Sequence, residues 1–267
     1  MDKYAVFGNP IEHSLSPLIH QQFAKQTGVE ISYEKILAPN NGFKQKAKQF
    51  IAENAKGFNI TVPFKLDALE LADTLTLEAK TAGAVNTIKV DNHQLIGHNT
   101  DGIGLVKDLT INLGIDLKDK IVLILGAGGA TRGVLFPLLA NQPKRLMIAN
   151  RTASKAEQLA DDFSAYGTTY GFGLEKINNN PVDIIINATS ASLDGQMPQI
   201  ASGCAKDSVC YDLMYGTQTP FMKWALKNQA KLVVDGLGML VEQAAAAFEF
   251  WTGKHPSTTE VIKKLRS

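Results

Sequence analysis

The sequence predicts an α/β fold, with an N-terminal α/β domain followed by a second domain built on a parallel sheet. Three observations carry this. Ile121-Val-Leu-Ile-Leu125 is a continuous apolar strand running into a glycine turn, Gly126-Ala-Gly-Gly-Ala130, about 120 residues into the chain. From about Gly102 onward strands alternate with helices, the rhythm of a parallel sheet with right-handed crossovers. Before Gly102, short strands end in segments dense in Ser, Thr, Asn, Lys and Asp within apolar patterning.

In order, Tyr4 to Gly8 is a short apolar strand closed by a Gly-Asn-Pro turn. Ser16 is expected to cap a helix with Pro17 at its first position, Ile19 and Phe23 sharing a face. Ile31 to Leu37 is strand-like, and Phe58 to Val62 alternates with the period of a strand. Ala84 to Val90 and Leu95 to His98 read as a strand pair around Asp91-Asn92. The second half gives helix Gly102–Leu113, strand Ile121–Leu125, helix Ala130–Ala140, strand Arg145–Ala149 and helix Ala153–Phe163. Strands Asp183–Asn187 and Ser208–Asp212, helix Pro220–Asn228 and strand Lys231–Val234 follow. A last helix, Met239 to Trp251, carries an apolar stripe and is expected to return to the first domain.

Composition narrows the function classes. Hydrophobic residues are 45% and charged residues 20% of the 267, which excludes disorder. A net charge of +1 leaves no footprint for nucleic acid or an anionic membrane, and no apolar run reaches the length of a membrane span. Cys204 and Cys210 are too few for a disulfide framework and read as thiols in a reducing cytoplasm. No histidine–carboxylate cluster suggests a metal. Monomer and homodimer both stay open.

A glycine turn between a strand and a helix lets backbone approach a dinucleotide pyrophosphate at a helix N-terminus. Gly126, Ala127, Gly128, Gly129 and Ala130 form that turn, with Thr131 where a third glycine or alanine is usual. The next strand ends in Asn150-Arg-Thr-Ala-Ser-Lys155, without the acid that favours a free ribose 2′-hydroxyl. Arg151 can fork onto a 2′-phosphate, Lys155 adds charge, and Asn150 and Thr152 add hydrogen bonds. NADP is therefore favoured over NAD. Solvated charges opening a helix are the plainer reading of Arg151 and Lys155, but cations there oppose the helix dipole. Thr189 either touches the cofactor or caps a helix.

In the first domain, Ser14 and Ser16, Thr61 with Lys65, and Asn86 with Asp101 place polar groups at strand ends. Each has a structural reading: Ser16 and Asp101 as helix caps, Thr61 as a strand residue, Lys65 as a surface charge. Together they suit a small polyhydroxy acid. Paired hydroxyls hold a carboxylate, amide and carboxylate groups hold vicinal hydroxyls, and Lys65 manages the proton of an alcohol that loses hydride.

Gly8-Asn-Pro-Ile-Glu-His-Ser-Leu-Ser-Pro17, Asn59-Ile-Thr-Val-Pro-Phe-Lys65, Gly83-Ala-Val-Asn-Thr87, Asn99-Thr-Asp-Gly102, Gly126 to Ala130, Asn150-Arg-Thr152 and Asp235-Gly-Leu-Gly-Met-Leu-Val241 follow one another in family order. Across almost its whole length the chain resembles the shikimate dehydrogenases.

The resemblance implies a substrate domain at 1–101, a Rossmann-like NADP domain at 102–236, and C-terminal helices at 237–267 on the first domain. It implies reversible NADPH-dependent reduction of 3-dehydroshikimate to shikimate in the cytoplasm, within chorismate and aromatic amino-acid biosynthesis. Lys65 and Asp101 become the catalytic pair. Ser14 and Ser16, with Tyr215 beside them, take the substrate carboxylate, and Thr61, Asn86, Asp101 and Gln243 take the ring hydroxyls. NADP lies along Gly126–Ala130 and Asn150–Lys155, with Leu213, Gly236 and Met239 near the nicotinamide. The chain departs from the family pattern at Ser190-Ala-Ser192, where relatives carry glycine, and in the short Leu213-Met-Tyr-Gly216 loop. Two rivals are an NAD-preferring quinate/shikimate dehydrogenase and a catalytically silent NADP-binding sensor. The first lacks its acid after Asn150, and the second is opposed by the presence of both Lys65 and Asp101.

Overall fold

The computed structural model describes residues 1–189, 191 and 195–267 of the chain. Ser190 and Ser192, singled out above, lie outside the described residues. The chain divides into two compact units, one formed by residues 1–105 and 240–267, the other by residues 106–239.

In the first unit β1 (Asp2–Gly8), α1 (Ser16–Thr27), β2 (Ile31–Leu37), α2 (Phe43–Ala52), β3 (Ala55–Ile60), α3 (Lys65–Leu71), β4 (Thr74–Leu75), α4 (Leu77–Ala82), β5 (Thr87–Asp91) and β6 (Gln94–His98) run to α5 (Asp101–Lys107). The six strands form one mixed sheet in the order β2-β1-β3-β5-β6-β4, with β5 antiparallel to both β3 and β6. The β5–β6 hairpin turns on Asn92 and His93, both at positive φ, as a tight primed turn requires.

The second unit continues with β7 (Ile121–Leu125), α6 (Gly129–Ala140), β8 (Arg145–Asn150), α7 (Ala153–Phe163), β9 (Thr169–Gly173), β10 (Ile184–Asn187), β11 (Val209–Asp212), α8 (Pro220–Lys227) and β12 (Leu232–Val234). Its sheet is parallel throughout, in the order β12-β11-β10-β7-β8-β9. Strands covered on both faces need no alternation, which is why β7 and β10 read as unbroken apolar runs.

The chain then passes through α9 (Leu237–Thr252) and ends with α10 (Thr259–Arg266). From Leu240 onward these helices belong to the first unit. Val241, Phe248 and Val261 pack with Ile19 and Phe23, and each such side chain leaving water contributes about 1.5–3 kcal/mol. The Trp251 indole donates to the Ile88 carbonyl (2.9 Å) and stacks on Tyr4. Gly57 makes that possible: a Cβ there would stand 2.4 Å from the indole nitrogen. The opposite face holds a phenylalanine-rich cluster of Phe7, Phe43, Phe50, Phe58 and Phe64.

Several local expectations are corrected. Ser16 is the first residue of α1 and not its cap; Leu15 holds the cap position, and Ser14 Oγ accepts from the Ser16 amide at 3.3 Å. Strand β3 ends at Ile60, because the chain turns at Thr61, whose carbonyl accepts from the Phe64 amide at 3.0 Å. The helix placed at Gly102–Leu113 starts at Asp101 and passes into a π-helical turn, Asp108–Asn112. Helices α2, α3 and α4 and strands β4 and β9 were not anticipated, and α10 was expected only as an unplaced helix within 237–267.

His20 is fully buried on α1, stacked on the Tyr33 ring at 4.3 Å, and neither ring nitrogen has a hydrogen-bond partner among the described residues. Burial lowers its pKa to about 3, with only the Asn59 side chain opposing. A histidine held neutral in the fold and titrating near 6.5 when unfolded makes the unfolded chain the stronger proton binder between those values. Stability is complete above about pH 6.5 and falls as pH drops toward 3, by about 1.4 kcal/mol per pH unit from this group. His98, also lowered by burial, acts in the same direction. Replacing His20 with phenylalanine should flatten the loss between pH 6.5 and 5 by about 2 kcal/mol in urea titrations. An unchanged slope would mean that His20 is protonated in the folded protein.

Candidate active site

In the first unit the polar groups converge on Asp101. Thr61 leaves β3 with its amide bonded to the Phe7 carbonyl, and the turn that follows buries Phe64 in the core. This places Lys65 at the start of α3, where its carbonyl accepts from the Val85 amide (3.1 Å). Asp101 opens α5, its amide held by Asn99 Oδ1 (3.1 Å), while Asn99 Nδ2 donates to the Ala84 carbonyl (3.0 Å). Both chain segments are thus pinned to the stretch 84–86 that carries Asn86.

The geometry is tight. Lys65 Nζ donates to Asp101 Oδ2 at 2.5 Å, and Asn86 Nδ2 donates to Asp101 Oδ1 at 2.8 Å. Asp101 is not acting as a cap: its two oxygens are engaged by side chains. The Lys65 side chain keeps 26% of its exposure against 12% for Asp101. An ammonium has three donors and Asp101 takes one, so among the described residues the remaining N–H groups are left for an oxygen arriving from solvent.

Of the other predicted substrate residues of this unit, Gln243 is linked to the pair through Thr100 and Asn86. Gln243 on α9 accepts from Thr100 Oγ1 at 3.3 Å, and Thr100 also bonds Asn86. Ser14 Oγ donates to Ser16 Oγ at 3.1 Å, with Ser16 buried and Ser14 half-buried. Thr61 is half-buried. Tyr215 belongs to the second unit and is half-buried, with burial raising its pKa above the ordinary phenol value. Asn59 and Thr87 escaped the sequence reading, and Asn99 and Thr100 entered it only as part of the Asn99-Thr-Asp101 segment without a role, although all four stand inside the motifs quoted for it.

In the second unit the register aligns the C-terminal ends of the central strands: Asn187 pairs with both Leu125 and Asp212, and Leu125 with Ala149. Ligands of parallel sheets bind beyond this edge. Gly126 takes φ +104, a conformation that favours glycine, and a Cβ on Gly128 or Gly129 would meet nothing within 4 Å. Space above the N-terminus of α6 is therefore open to a phosphate, with Gly128, Gly129 and Ala130 exposed and Ala127 half-buried. Thr131 is buried, and its hydroxyl donates to the Gly126 carbonyl at 2.8 Å. That bond accounts for threonine at the third fingerprint position, since it ties the helix to its own entry turn.

Asn150 Nδ2 donates to the Thr152 carbonyl (3.0 Å), shaping the loop that presents Arg151. Arg151, Thr152 and Lys155 are exposed, and neither cation forms an ion pair among the described residues. Thr189 donates from both its amide and its hydroxyl to Asn187 Oδ1, so its side chain is occupied locally. Asn187 in turn donates to Asp212, whose buried carboxyl is raised above its usual pKa by desolvation. The Leu213 amide bonds the Asn187 carbonyl, and Gly236 packs so closely that a Cβ would stand 2.3 Å from the Leu213 carbonyl. Met239 is half-buried on α9. Cys204 and Cys210 are both buried, and burial pushes each thiol up to about 11. No group of three or more His, Cys, Asp or Glu side chains among the described residues is placed to hold a metal, and no described helix is long and apolar enough to cross a membrane.

Three family descriptions match the chain. Residues 6–88 match the shikimate dehydrogenase substrate binding domain, residues 108–196 shikimate/quinate 5-dehydrogenase, and residues 236–266 the shikimate 5′-dehydrogenase C-terminal domain. The chain is 65% identical over 267 residues to the shikimate dehydrogenase (NADP(+)) of Ruthia magnifica subsp. Calyptogena magnifica, with 100% of both chains covered. It is similar to the crystal structure of an Ael1 enzyme from Pseudomonas putida (41% identity, TM-score 0.93, covering 99% of this chain and 98% of that one). It is also similar to the shikimate 5-dehydrogenase from Thermus thermophilus in complex with NADP(H) and shikimate (33% identity, TM-score 0.87, covering 100% and 99%).

Proposed function

Because this chain belongs to the shikimate dehydrogenase family, we propose that it interconverts 3-dehydroshikimate and shikimate with NADP(H), Lys65 and Asp101 forming the catalytic pair. The observation that supports the assignment of residues is the 2.5 Å bond between Lys65 and Asp101, with the free ammonium donors beside it. NADPH supplies the hydride when bound. Lys65, as ammonium, donates a proton to the oxygen that becomes the alcohol. Asp101 fixes the direction of that ammonium and takes part in holding the neighbouring hydroxyl, while Asn86 and Gln243 hold the remaining ring hydroxyls and Thr61 assists. Ser14 and Ser16, with Tyr215, take the carboxylate. In the oxidative direction Lys65 must first be the neutral amine, and it then receives the alcohol proton as hydride leaves the carbon for NADP.

The cofactor is held by the residues the glycine turn and the following strand end supply. Gly126 to Ala130 leave room for the pyrophosphate at a helix N-terminus, where unpaired N–H groups and the helix dipole favour an anion. Asn150, Arg151, Thr152 and Lys155 take the 2′-phosphate, and Thr189, Leu213, Gly236 and Met239 stand along the remainder.

Purified protein mixed with shikimate and NADP should show the absorbance of reduced nicotinamide rising with time. Exchanging NADP for NAD, or shikimate for quinate, should slow the rise by at least tenfold. No rise with any of the four combinations would overturn the assignment; a faster rise with quinate and NAD would replace it with the rival dehydrogenase.

A further inference from the structure

A row of buried amides and hydroxyls leads away from Asp101 through the first sheet. Asn86 Nδ2 donates to Asp101 Oδ1 (2.8 Å), and Thr87 Oγ1 donates to Asn86 Oδ1 (2.9 Å). Asn59 Nδ2 donates to Thr87 Oγ1 (2.9 Å), across the antiparallel β3–β5 pair in which Asn59 and Thr87 are register partners. The row ends at Tyr33 on β2, whose hydroxyl donates to Asn59 Oδ1 at 2.7 Å. Every bond points the same way, from Tyr33 toward the carboxylate.

Direction matters because an amide can turn over. A buried Asn that flips exchanges donor for acceptor, and every hydroxyl downstream must then turn its proton. At Asn59 the phenol gives the shorter constraint: with Oδ1 accepting from Tyr33 (2.7 Å), Nδ2 is left for Thr87, and a longer bond from Nδ2 to the Asn86 carbonyl (3.3 Å) agrees with it. Thr87 then has its oxygen occupied as an acceptor and its proton available for Asn86 Oδ1, where it joins the Thr100 amide (2.9 Å) in holding the Asn86 side chain. A side chain at the far end of the row would lose this control if it could ionise, but burial raises the Tyr33 phenol well above its ordinary pKa. The ring is held in place by the parallel His20 imidazole, 4.3 Å away and itself neutral.

We propose that Tyr33 is a positioning residue for this active site, its hydroxyl setting the orientation of the Asn59 amide and, through Thr87, of the Asn86 amide that faces Asp101. The inference rests on the dehydrogenase reading above, and Tyr33 touches neither substrate nor cofactor in it. Its hydroxyl also meets the Ser16 side chain, and the Thr87 arm of the test separates the hydrogen-bonded row from that contact.

The test is a double-mutant cycle with Tyr33→Phe and Thr87→Val, measured with shikimate and NADP. Tyr33→Phe removes one hydroxyl and keeps the stack on His20, and should lower kcat/KM for shikimate about tenfold with the KM for NADP unchanged within twofold. Thr87→Val interrupts the row one step further on. If Tyr33 acts through Thr87, the double variant should match Thr87→Val alone within twofold. Losses that multiply, or a Tyr33→Phe enzyme as active as the parent, would overturn the inference while leaving the dehydrogenase assignment intact. An inactive parent protein would sink that assignment first. A side-chain amide signal adds a readout that general destabilisation would not move. In the folded Tyr33→Phe protein, exchange of the Asn59 side-chain amide protons should quicken while protection of the Trp251 indole proton stays unchanged.

Discussion

Replacing Lys65 with alanine should lower turnover by about 10²–10⁴-fold, the range a positioned proton donor supplies. The substitution removes the only described cation bonded to Asp101 and leaves that carboxylate with the Asn86 amide. Lys65 is partly exposed at the start of a short helix, so water fills the vacated space and the fold survives. The KM for NADP should stay within twofold, since none of the residues assigned to the cofactor bonds to Lys65. Steady-state kinetics with each substrate varied separately decides the matter. Turnover within threefold of the parent, accompanied by a raised KM for shikimate, would make Lys65 a binding residue and leave the proton to another group.

The second large effect concerns the cofactor. Arg151→Asp should raise the KM for NADP by roughly 10²-fold and that for NAD by less than about threefold. A hydrogen bond to a charged group contributes about 1.5–3 kcal/mol, and an aspartate in its place adds repulsion toward the 2′-phosphate. Two structural facts favour a ligand role for this arginine. It is exposed without an ion pair among the described residues, and the first turn of α7 holds no acid to compensate Lys155. Cations left at a helix N-terminus oppose its dipole, a cost that an incoming phosphate reverses. Equal losses with NAD and NADP would remove Arg151 from the selectivity argument.

The second unit was the more legible in the sequence, for a physical reason. Its central strands are buried on both faces, so β7 and β10 stand out as apolar runs, and α7 was placed to the residue by its flanking polar loop. Strand β9 escaped because it is an edge strand with two glycines among five residues, a composition that weakens any strand signal. Helix α2 buries only Phe43, Ala47 and Phe50, between lysines and without a side-chain cap, and α10 buries only Val261. The pairing of Lys65 with Asp101 came from the resemblance, since nothing in a separation of thirty-six positions announces a contact. The Tyr33–Asn59–Thr87 row depends on register across β2, β1, β3 and β5, which no local pattern encodes.

The first unit is assembled from both ends of the chain, with the second inserted as one unbroken stretch. On the ribosome this reverses the usual order, in which the segment made first folds first. The parallel sheet has all its strands once residue 239 has emerged, whereas the first unit, which carries Lys65 and Asp101, has its strands early but must wait for residues 240–267 to be covered. Until then the notch at Gly57 and the carbonyl of Ile88 face water instead of Trp251. A nascent chain arrested just short of Trp251 would display a finished second half attached to an unfinished first.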